Sequence, residues 1–472
     1  MKLFPIYTWT RGIRNFKHRR DKFSHLPWAQ GAILLGCVLI AMLLANLPFT
    51  RDAYHNFLST SLSLNAASPD GFTLSFPKGM TVNSFINDVL MVVFFFVVGL
   101  EIRREVDHGE LSEPKKAILP VIAAFGGVCA PALIYVFFNH GTAASSGWGI
   151  PTATDIAFSI GILSMLGRKV PVSLKIFLTT LAVADDLIAI LVVALFYGGK
   201  INFLLLGIAA LVICFVVLLN KLGEKRDIFY LIPAFAVWVL FYYAGIHSTM
   251  SGVVMAFLIP MAPRYNRAYY YRKRAQYRRR ITEYDAIEDP SDWPNGPQRH
   301  CLRRLSHISR NCIGMTDRLE HSLDSWVNFG IMPLFALANA GVTISDPSYL
   351  NIFRFSPELG SVSMGIFFGL VLGKPIGITL ASWFAIKAKV GAMPSNSTWK
   401  MLFAVACLGG IGFTMSIFVD TLSFGDQAPE VMAGLRDMGK IAVLLGSLCA
   451  GIVGYLLICL VNALEGKSRE TE

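Results

Sequence analysis

The chain has 472 residues, of which 54% are hydrophobic and 15% are charged, and its mean hydropathy is +0.54. This composition excludes a soluble globular protein of this length and indicates a membrane protein. The formal charge of +11 does not indicate nucleic-acid binding, because Lys and Arg lie mainly in the hydrophilic breaks between apolar segments. The eight cysteines are scattered singly and form no disulfide framework.

The apolar segments predict membrane helices, because windows of about 17–25 mainly apolar residues are long enough to cross a bilayer. No clear small-residue cleavage site follows the first window, so residues 1–28 are interpreted as a basic N-terminus before a retained helix. Twelve windows occur, at residues 29–48, 82–102, 117–138, 147–166, 171–197, 201–220, 228–244, 246–262, 321–344, 359–386, 399–419 and 438–462.

The basic residues predict how these helices are oriented. Lys and Arg are enriched in the N-terminus, in every second break and in the tail at 463–472, and they are scarce in the other breaks. Because cytoplasmic segments carry the excess of Lys and Arg, we expect an even number of spans with both termini in the cytoplasm. The last predicted external break, at 420–437, is rich in acidic residues, namely Asp420, Asp426, Glu430 and Asp437.

Two breaks are more than simple turns. Residues 59–77 contain short alternating runs around Pro69-Asp70-Gly71 and predict an external hairpin, either a pairing surface for a second copy or a plain surface ribbon. Residues 263–320 form a long cytoplasmic segment with thirteen Lys or Arg residues, including the cluster from Arg272 to Arg280. This cluster is expected either to attract anionic lipids or to remain a solvated loop.

Three carboxylates, Asp155, Asp185 and Asp186, lie inside the fourth and fifth spans. A charge at the centre of a membrane helix costs about 2.5–3.5 kcal/mol, so these residues require a compensating use. Asp185 is ten residues from the cytoplasmic Lys175, and a rise of about 1.5 Å per residue puts it about 15 Å deep in a core about 30 Å thick. Asp155 lies thirteen residues before Arg168, which is again near mid-depth.

Lys374, in the tenth predicted span, is the one basic residue deep inside an apolar window. A lysine at that depth loses its proton or pairs with a carboxylate, and either Asp185 or Asp155 can be the partner. Three acids outnumber this one base, which argues against a network that only fixes helix packing. Carboxylates that hold either protons or a small hard cation couple the movement of the two, provided that the site opens to one side at a time.

Two spans contain residues that interrupt helices. Pro151 removes a backbone donor, and the threonine hydroxyls that follow it can bond freed carbonyls, so a break is predicted in the fourth span. The glycine-rich run 409–414 in the eleventh span is read either as a second break or as a site of close helix packing.

The chain resembles the NhaA-type sodium/proton antiporter family in motifs that cover nearly the whole membrane portion. These motifs are GLEIRRE at 99–105, ATDIAF at 153–158, LKIFL and ADDL within 174–187, GIHSTMSGV at 245–253, LEH at 319–321, PLFALANAGV at 333–342, GKPIGI at 373–378 and GGIGFTMSIF at 409–418. The resemblance implies an all-α polytopic membrane protein of twelve transmembrane helices, with inverted repeats and two broken, crossing helices, the fourth and eleventh spans.

The resemblance also implies a site and an activity. Asp185 and Asp186 would hold the metal ion and the protons, with Lys374 as the partner of Asp185. Asp155 and Thr154 would lie where the two broken helices cross, and Asp155 and Lys374 would compensate the facing helix-end dipoles. Similar proteins expel sodium or lithium while protons enter, electrogenically. A homodimer in a bacterial inner membrane is therefore expected, without catalytic residues or a cofactor.

Residues that the family associates with pH response are also present, at Glu101, Arg104, His247, Glu320 and His321. His247 is read either in that role, since histidine titrates near neutral pH, or as a core histidine beside Gly245. The chain departs from the family pattern at Asp324, where a second histidine is common, and at Asp317, where a basic residue is common.

Two other functions are compatible with membrane aspartates. The first is a transporter of another solute that uses the acids as ligands for a coupling ion. The second is an intramembrane aspartyl protease, in which Asp155 and Asp185 would share a proton. The chain lacks the glycine-x-glycine-aspartate context of such proteases, and Lys374 would compete for the pair.

Overall fold

A computed structural model describes residues 28–62, 64–67, 73–76, 80–198, 201–285, 296–344, 351–353, 360–424 and 429–470. The described chain is almost entirely helical. Seven helices within these ranges are long and apolar enough to cross a membrane, or eight if one bent pair of helices counts as a single span. Two shorter apolar helices, Ile228–Ala244 and Thr249–Leu258, accompany them. The predicted helical, polytopic membrane class is confirmed.

The first part of the chain contains the helices of the first five predicted spans. Residues 1–27 of the predicted basic N-terminus lie outside the described residues. The elements are α1 (Ala29–Asn46), α2 (Arg51–Ser59), β1 (Leu64–Ala67), β2 (Thr73–Phe76), α3 (Val82–Phe85), α4 (Met91–His108), α5 (Pro114–Asn139), α6 (Ile156–Met165) and α7 (Val172–Phe196). A π-helical turn joins α3 to α4, and a 3-10 helix at Ala143–Thr152 precedes α6.

The middle of the chain contains three apolar helices followed by three polar ones. These are α8 (Phe203–Lys221), α9 (Ile228–Ala244), α10 (Thr249–Leu258), α11 (Arg267–Asp285), α12 (Gly296–Asn311) and α13 (Met315–Trp326). Helices α11 and α12 lie within the segment 263–320, where the sequence predicts only a long basic loop. The α11 helix is supported by guanidinium groups stacked on tyrosine rings about one turn away, such as Arg267 over Tyr271.

The last part of the chain begins with α14 (Met332–Asn339), which a π-helical turn joins to α13. It continues with α15 (Val362–Phe368), α16 (Lys374–Lys387), α17 (Trp399–Gly409), α18 (Phe413–Ser423) and α19 (Pro429–Glu470). The predicted external break at 420–437 is wrong in its bounds, because α18 continues to Ser423 and α19 already begins at Pro429. Asp420 is consequently a fully buried helical residue rather than a residue of an exposed loop.

The one strand pair of the described residues is a short antiparallel ribbon. Leu64 pairs with Phe76 and Ala67 pairs with Thr73. The ribbon lies within residues 59–77, where alternating apolar residues predict a hairpin. A bridge between Ser61 and Thr81 continues the pairing at its base.

The chain divides into two compact units, whose described residues fall within Met1–Met91, Glu105–Gly198 and Asn328–Glu472 for unit 1 and within Val92–Arg104 and Gly199–Val327 for unit 2. Unit 2 has its own apolar core. Phe96, Val216, Tyr230 and Met255 are buried together there.

Unit 1 is held together by close helix crossings. A Cβ atom added to Gly126 of α5 would lie 2.5 Å from the carbonyl oxygen of Gly377 of α16, and one added to Gly377 would lie 2.2 Å from the carbonyl oxygen of Gly126. Only glycine permits backbones to approach this closely, and such crossings are a usual way of packing membrane helices. The contact fixes α16, and thereby the residue that begins it, Lys374.

Candidate ion and proton site

The fourth span is broken at its middle. The 3-10 helix Ala143–Thr152 ends, residues 153–155 are extended, and α6 then begins. Pro151 destabilises the 3-10 helix, which is the first half of the span, because it has no N–H group to donate to a helical hydrogen bond. Asp155 caps the second half, and its Oδ1 accepts a hydrogen bond of 3.3 Å from the backbone N–H of Phe158. The predicted break is therefore present.

The eleventh span is broken as well, with a bend of 48° between α17 and α18. The two breaks face each other and exchange hydrogen bonds. The backbone N–H of Asp155 donates to the carbonyl oxygen of Ile411 at 2.6 Å, and the Thr154 hydroxyl donates to that of Gly409 at 2.8 Å. Each break thus leaves backbone groups without helical partners, and groups of the other break form hydrogen bonds with them. Backbone polar groups need such partners in apolar surroundings.

Asp155 lies at the N-termini of two helices. Its Oδ2 accepts hydrogen bonds from the backbone N–H of Thr414 at 3.1 Å and from the Thr414 hydroxyl at 2.5 Å, while its Oδ1 caps α6. Helix N-termini carry partial positive charge, so a carboxylate there is stabilised by both dipoles. Asp155 is 2% exposed, and its negative charge is therefore compensated within the fold.

Lys374 makes the central ion pair of the site. Its Nζ donates to Asp185 Oδ2 at 2.5 Å and to the Thr154 hydroxyl at 2.7 Å. A π-helical turn at Gly369–Gly373 immediately precedes it. Of the two partners that the sequence left open for Lys374, the structure therefore pairs it with Asp185 and leaves Asp155 to the helix ends.

The second carboxylate of α7 is equally buried. Asp185 is 0% exposed, Asp186 is 2% exposed, and Asp186 lies close enough to Lys374 for an electrostatic interaction. The Oδ1 atom of Asp185 accepts no hydrogen bond from the described residues. Two buried carboxylates close to one ammonium group are the chemistry that binds a proton or a small hard cation.

A cation at this site would need hydroxyl or carbonyl ligands besides the two carboxylates. In the described residues, no group of three or more His, Cys, Asp or Glu side chains is arranged to hold a metal ion.

A second group of predicted residues lies together in unit 2. Arg104 of α4 forms an ion pair with Glu320 of α13. Glu320 is just before the ninth predicted span, and burial raises the pKa of its carboxyl to about 7, although the Arg104 guanidinium lowers it. Three neighbouring acids raise the pKa further, Glu101, Asp317 and Asp324.

The two predicted histidines are not part of that ion pair. His247 is half-buried in the turn between α9 and α10, where its carbonyl oxygen accepts a hydrogen bond from the N–H of Met250. His321 is exposed on α13.

Several polar residues of the crossing were not predicted from the sequence. The Ser159 hydroxyl donates to the carbonyl oxygen of Leu408 at 2.8 Å, and Ser447 of α19 accepts from the N–H groups of Gly412 and Phe413 at 3.2 and 3.1 Å. Thr414 stands in the glycine-rich motif, and Ser159 follows Asp155 by one helical turn. These two hydroxyl residues, each close in sequence to a predicted break, were the sequence signal that could have indicated the additional hydrogen bonds.

Comparison with known proteins agrees with the motifs. The profile of the family described as Na+/H+ antiporter 1 matches residues 21–458. The chain is 40% identical to Na(+)/H(+) antiporter NhaA 2 of Flavobacterium johnsoniae, over 92% of this chain and 90% of that protein. It is 40% identical to Na(+)/H(+) antiporter NhaA of Bacteroides thetaiotaomicron, over 93% of this chain and 96% of that protein. The chain therefore belongs to the Na+/H+ antiporter 1 family.

Proposed function

We propose that the chain is a secondary active antiporter that expels sodium or lithium ions in exchange for protons. The observation that carries this proposal is the buried pair of Lys374 and Asp185, with Asp186 beside it, at the crossing of two broken helices. Family membership supports the same activity.

In the proposed cycle, Asp185 and Asp186 hold either the metal ion or protons. A sodium ion that enters between the two carboxylates competes with Lys374 for Asp185 and displaces protons from the site. When the site then opens to the other side, the ion leaves and protons return to the carboxylates. Exchange is electrogenic if more than one proton is returned for each metal ion.

The crossing keeps the rest of the site in place during this cycle. Asp155 and Thr154 bond backbone or hydroxyl groups of the eleventh span, so their role is to join the two broken helices. Alternating access is then proposed to be a movement of the surrounding helices about this crossing, because the site must open to one side at a time.

The proposed topology has twelve transmembrane helices with inverted repeats in a bacterial inner membrane, and both termini in the cytoplasm. The described helices occur at all twelve predicted segments, although only seven or eight meet the length and composition expected of a full span. The shorter segments include broken helices, which the family architecture accommodates.

The protein is also proposed to be a homodimer. Within the described residues each strand of the ribbon of β1 and β2 pairs on one edge, and a second copy is proposed to extend the ribbon at the other edge. Native mass spectrometry of the purified protein measures this directly, and a monomer at all concentrations would contradict it.

The basic helix α11 is proposed to bind anionic lipids. The side chains of Arg272, Arg274 and Arg278 are exposed, as are those of Arg279 and Arg280. Each basic group near an anionic membrane surface contributes about 1 kcal/mol of attraction. Tyrosine rings beneath some of these groups, as for Arg272 over Tyr269, hold them in place.

A transporter of another solute on this scaffold remains the alternative function. Purified protein in proteoliposomes that contain sodium but no organic solute distinguishes the two, because only the antiporter then moves protons. The aspartyl protease has little support, since Asp155 is held by Thr414 and Asp185 by Lys374.

The Asp186→Asn variant tests the proposed site. An amide cannot exchange a proton for a cation, so sodium-induced collapse of a preformed pH gradient in everted vesicles is expected to fall by about tenfold or more. The control is Glu283→Gln, which removes an exposed carboxylate from α11 and is expected to leave exchange unchanged. Full exchange by Asp186→Asn would show that the ion and proton site lies elsewhere.

The Glu320→Gln variant tests the proposed pH response. With a pKa of about 7, Glu320 is mainly neutral below that pH and mainly ionised above it, so the Arg104 ion pair is complete only at higher pH. Glutamine mimics the neutral form at every pH. Exchange by the variant at pH 8 is therefore expected to resemble that of the intact chain at pH 6.

The matched control for this profile is Glu113→Gln, which removes an exposed glutamate that pairs with Lys116. Exchange is measured across the whole pH range in both variants. A Glu320→Gln profile that overlays the intact profile would remove Glu320 from the pH response.

The triple variant Arg272→Gln/Arg274→Gln/Arg278→Gln tests lipid binding by α11. Native mass spectrometry of the purified protein with phosphatidylglycerol or phosphatidylcholine is expected to show a loss of the preference for the anionic lipid. The control removes the same number of exposed charges from α12, in Arg299→Gln/Arg303→Gln/Arg310→Gln. Equal loss in both triple variants would mean that α11 has no specific role.

A further inference from the structure

Asp420 of α18 is a buried carboxylate that the proposed exchange site does not use. It is 0% exposed, and neither of its oxygens accepts a hydrogen bond from the described residues. A charged group buried in this way is costly unless it is paired or protonated. The carboxylate therefore needs an explanation of its own.

The surroundings of Asp420 are polar and tightly packed. Helix α19 packs closely against Asp420 at Gly439, where an added Cβ atom would lie 2.0 Å from Asp420 Oδ1. Three charged groups of α19 interact with it electrostatically: Lys440, Arg436 and Asp437. Arg436 also donates a hydrogen bond to the carbonyl oxygen of Thr421.

Two tyrosines of other elements, the buried Tyr135 and the half-buried Tyr197, lie near the same carboxylate. Tyr197, which follows α7, and Tyr135 of α5 both interact electrostatically with Asp420. The Tyr197 hydroxyl donates to the carbonyl oxygen of Ser146 at 2.8 Å and accepts from the N–H of Gly149 at 3.0 Å. The cluster thus gathers hydroxyl, carboxyl and ammonium groups within unit 1.

Helix α7, which carries the exchange site, and helix α18, which carries Thr414 of the crossing, both lead to this cluster. On α18, Asp420 follows Thr414 by six residues, which is about 9 Å of helix. On the α7 side, Tyr197 follows Asp186 by eleven residues, or about 16 Å. The cluster therefore lies beyond the exchange site, toward the side predicted to be external.

The cluster is also connected to the surface of unit 1. Asp437 interacts electrostatically with His55 of α2, and His55 is exposed. The His55 Nε2 atom is 2.8 Å from the hydroxyl of Thr343. Titratable groups therefore extend from an exposed histidine, through Asp437 and Lys440, to the buried Asp420.

These observations favour a proton over a sodium ion as the ligand of Asp420. A sodium ion needs several oxygen ligands and would approach two cationic groups, Lys440 and Arg436. A proton needs a single lone pair, and both oxygens of Asp420 have one available.

We propose that Asp420 is a second proton-binding carboxylate, which relays protons between the external side and the exchange site. Hydronium on the external side gives its proton to ionised Asp420, which leaves water and a neutral carboxylic acid. The acid later passes this proton inward, toward the Asp185–Asp186 pair, and the Asp420 carboxylate is regenerated. This inference rests on the proposed antiport activity and its topology.

The competing explanation is a purely structural ion pair in which Asp420 balances Lys440. The two explanations differ when both charges are removed. A structural pair is replaceable by a neutral pair of similar size, whereas a proton carrier is not.

The experiment compares the intact chain, Asp420→Asn and Asp420→Asn/Lys440→Met in proteoliposomes. Sodium-driven proton exchange is expected to fall by about tenfold or more in Asp420→Asn and to remain as slow in the double variant. Sodium affinity, measured by calorimetry on the purified proteins, is expected to stay within about twofold of the intact value, because the exchange site is unchanged.

Three outcomes would overturn the relay. They are an unchanged exchange rate in Asp420→Asn, a rate restored in the double variant, and a loss of sodium binding in Asp420→Asn that the double variant repairs. An intact chain that exchanges no protons for sodium would instead contradict the proposed function, so the two failures are distinguishable.

Discussion

The ion pair between Lys374 and Asp185 is the interaction on which the rest of the site depends. Both side chains are completely buried, so each would be very costly in the membrane interior without the other. The pair joins the tenth span to the fifth, and through Thr154 it also reaches the fourth. The backbones of three membrane helices are thereby held in register around one charge.

The same constraint bears on the proposed exchange of ions and protons at this site. The helix ends stabilise Asp155, whereas Asp185 and Asp186 both interact with the ammonium group of Lys374. In the proposed cycle a proton and a metal ion compete because they use the same carboxylate oxygens of Asp185 and Asp186. The hydrogen bonds of the crossing thus belong to the fixed part of the proposed site, and the carboxylates of α7 belong to its exchangeable part.

Much of the site was accessible from the sequence because helix rise converts residue spacing into depth. That arithmetic put Asp155 and Asp185 near mid-depth, and the structure brings both carboxylates to one crossing together with Lys374. It could not choose the partner of Lys374, because the choice depends on how the two breaks bond each other through Thr154, Ile411 and Gly409. Such contacts join residues more than 200 positions apart and have no local signature.

The fold was less predictable where charged residues lower the local hydropathy, because such segments are predicted as loops although they form helices. Because of charged residues such as Asp420 and Arg436, residues 420–437 were predicted to be a loop. In the structure, Asp420 of α18 is buried against Gly439 of α19. Helix α11, in the basic segment 263–320, likewise has little apolar periodicity, yet cation–π contacts along it support a helix. In both cases the local structure depends on what the charged side chain contacts, and hydropathy does not report these contacts.

The pH dependence of sodium affinity tests most directly whether one pair of carboxylates holds the ion and the protons in turn. Calorimetry on the purified intact chain measures the apparent Kd between about pH 6.5 and pH 8.5. Competition predicts that the Kd rises about tenfold for each unit of falling pH and each proton displaced. A Kd that is the same at every pH would contradict a shared site at Asp185 and Asp186.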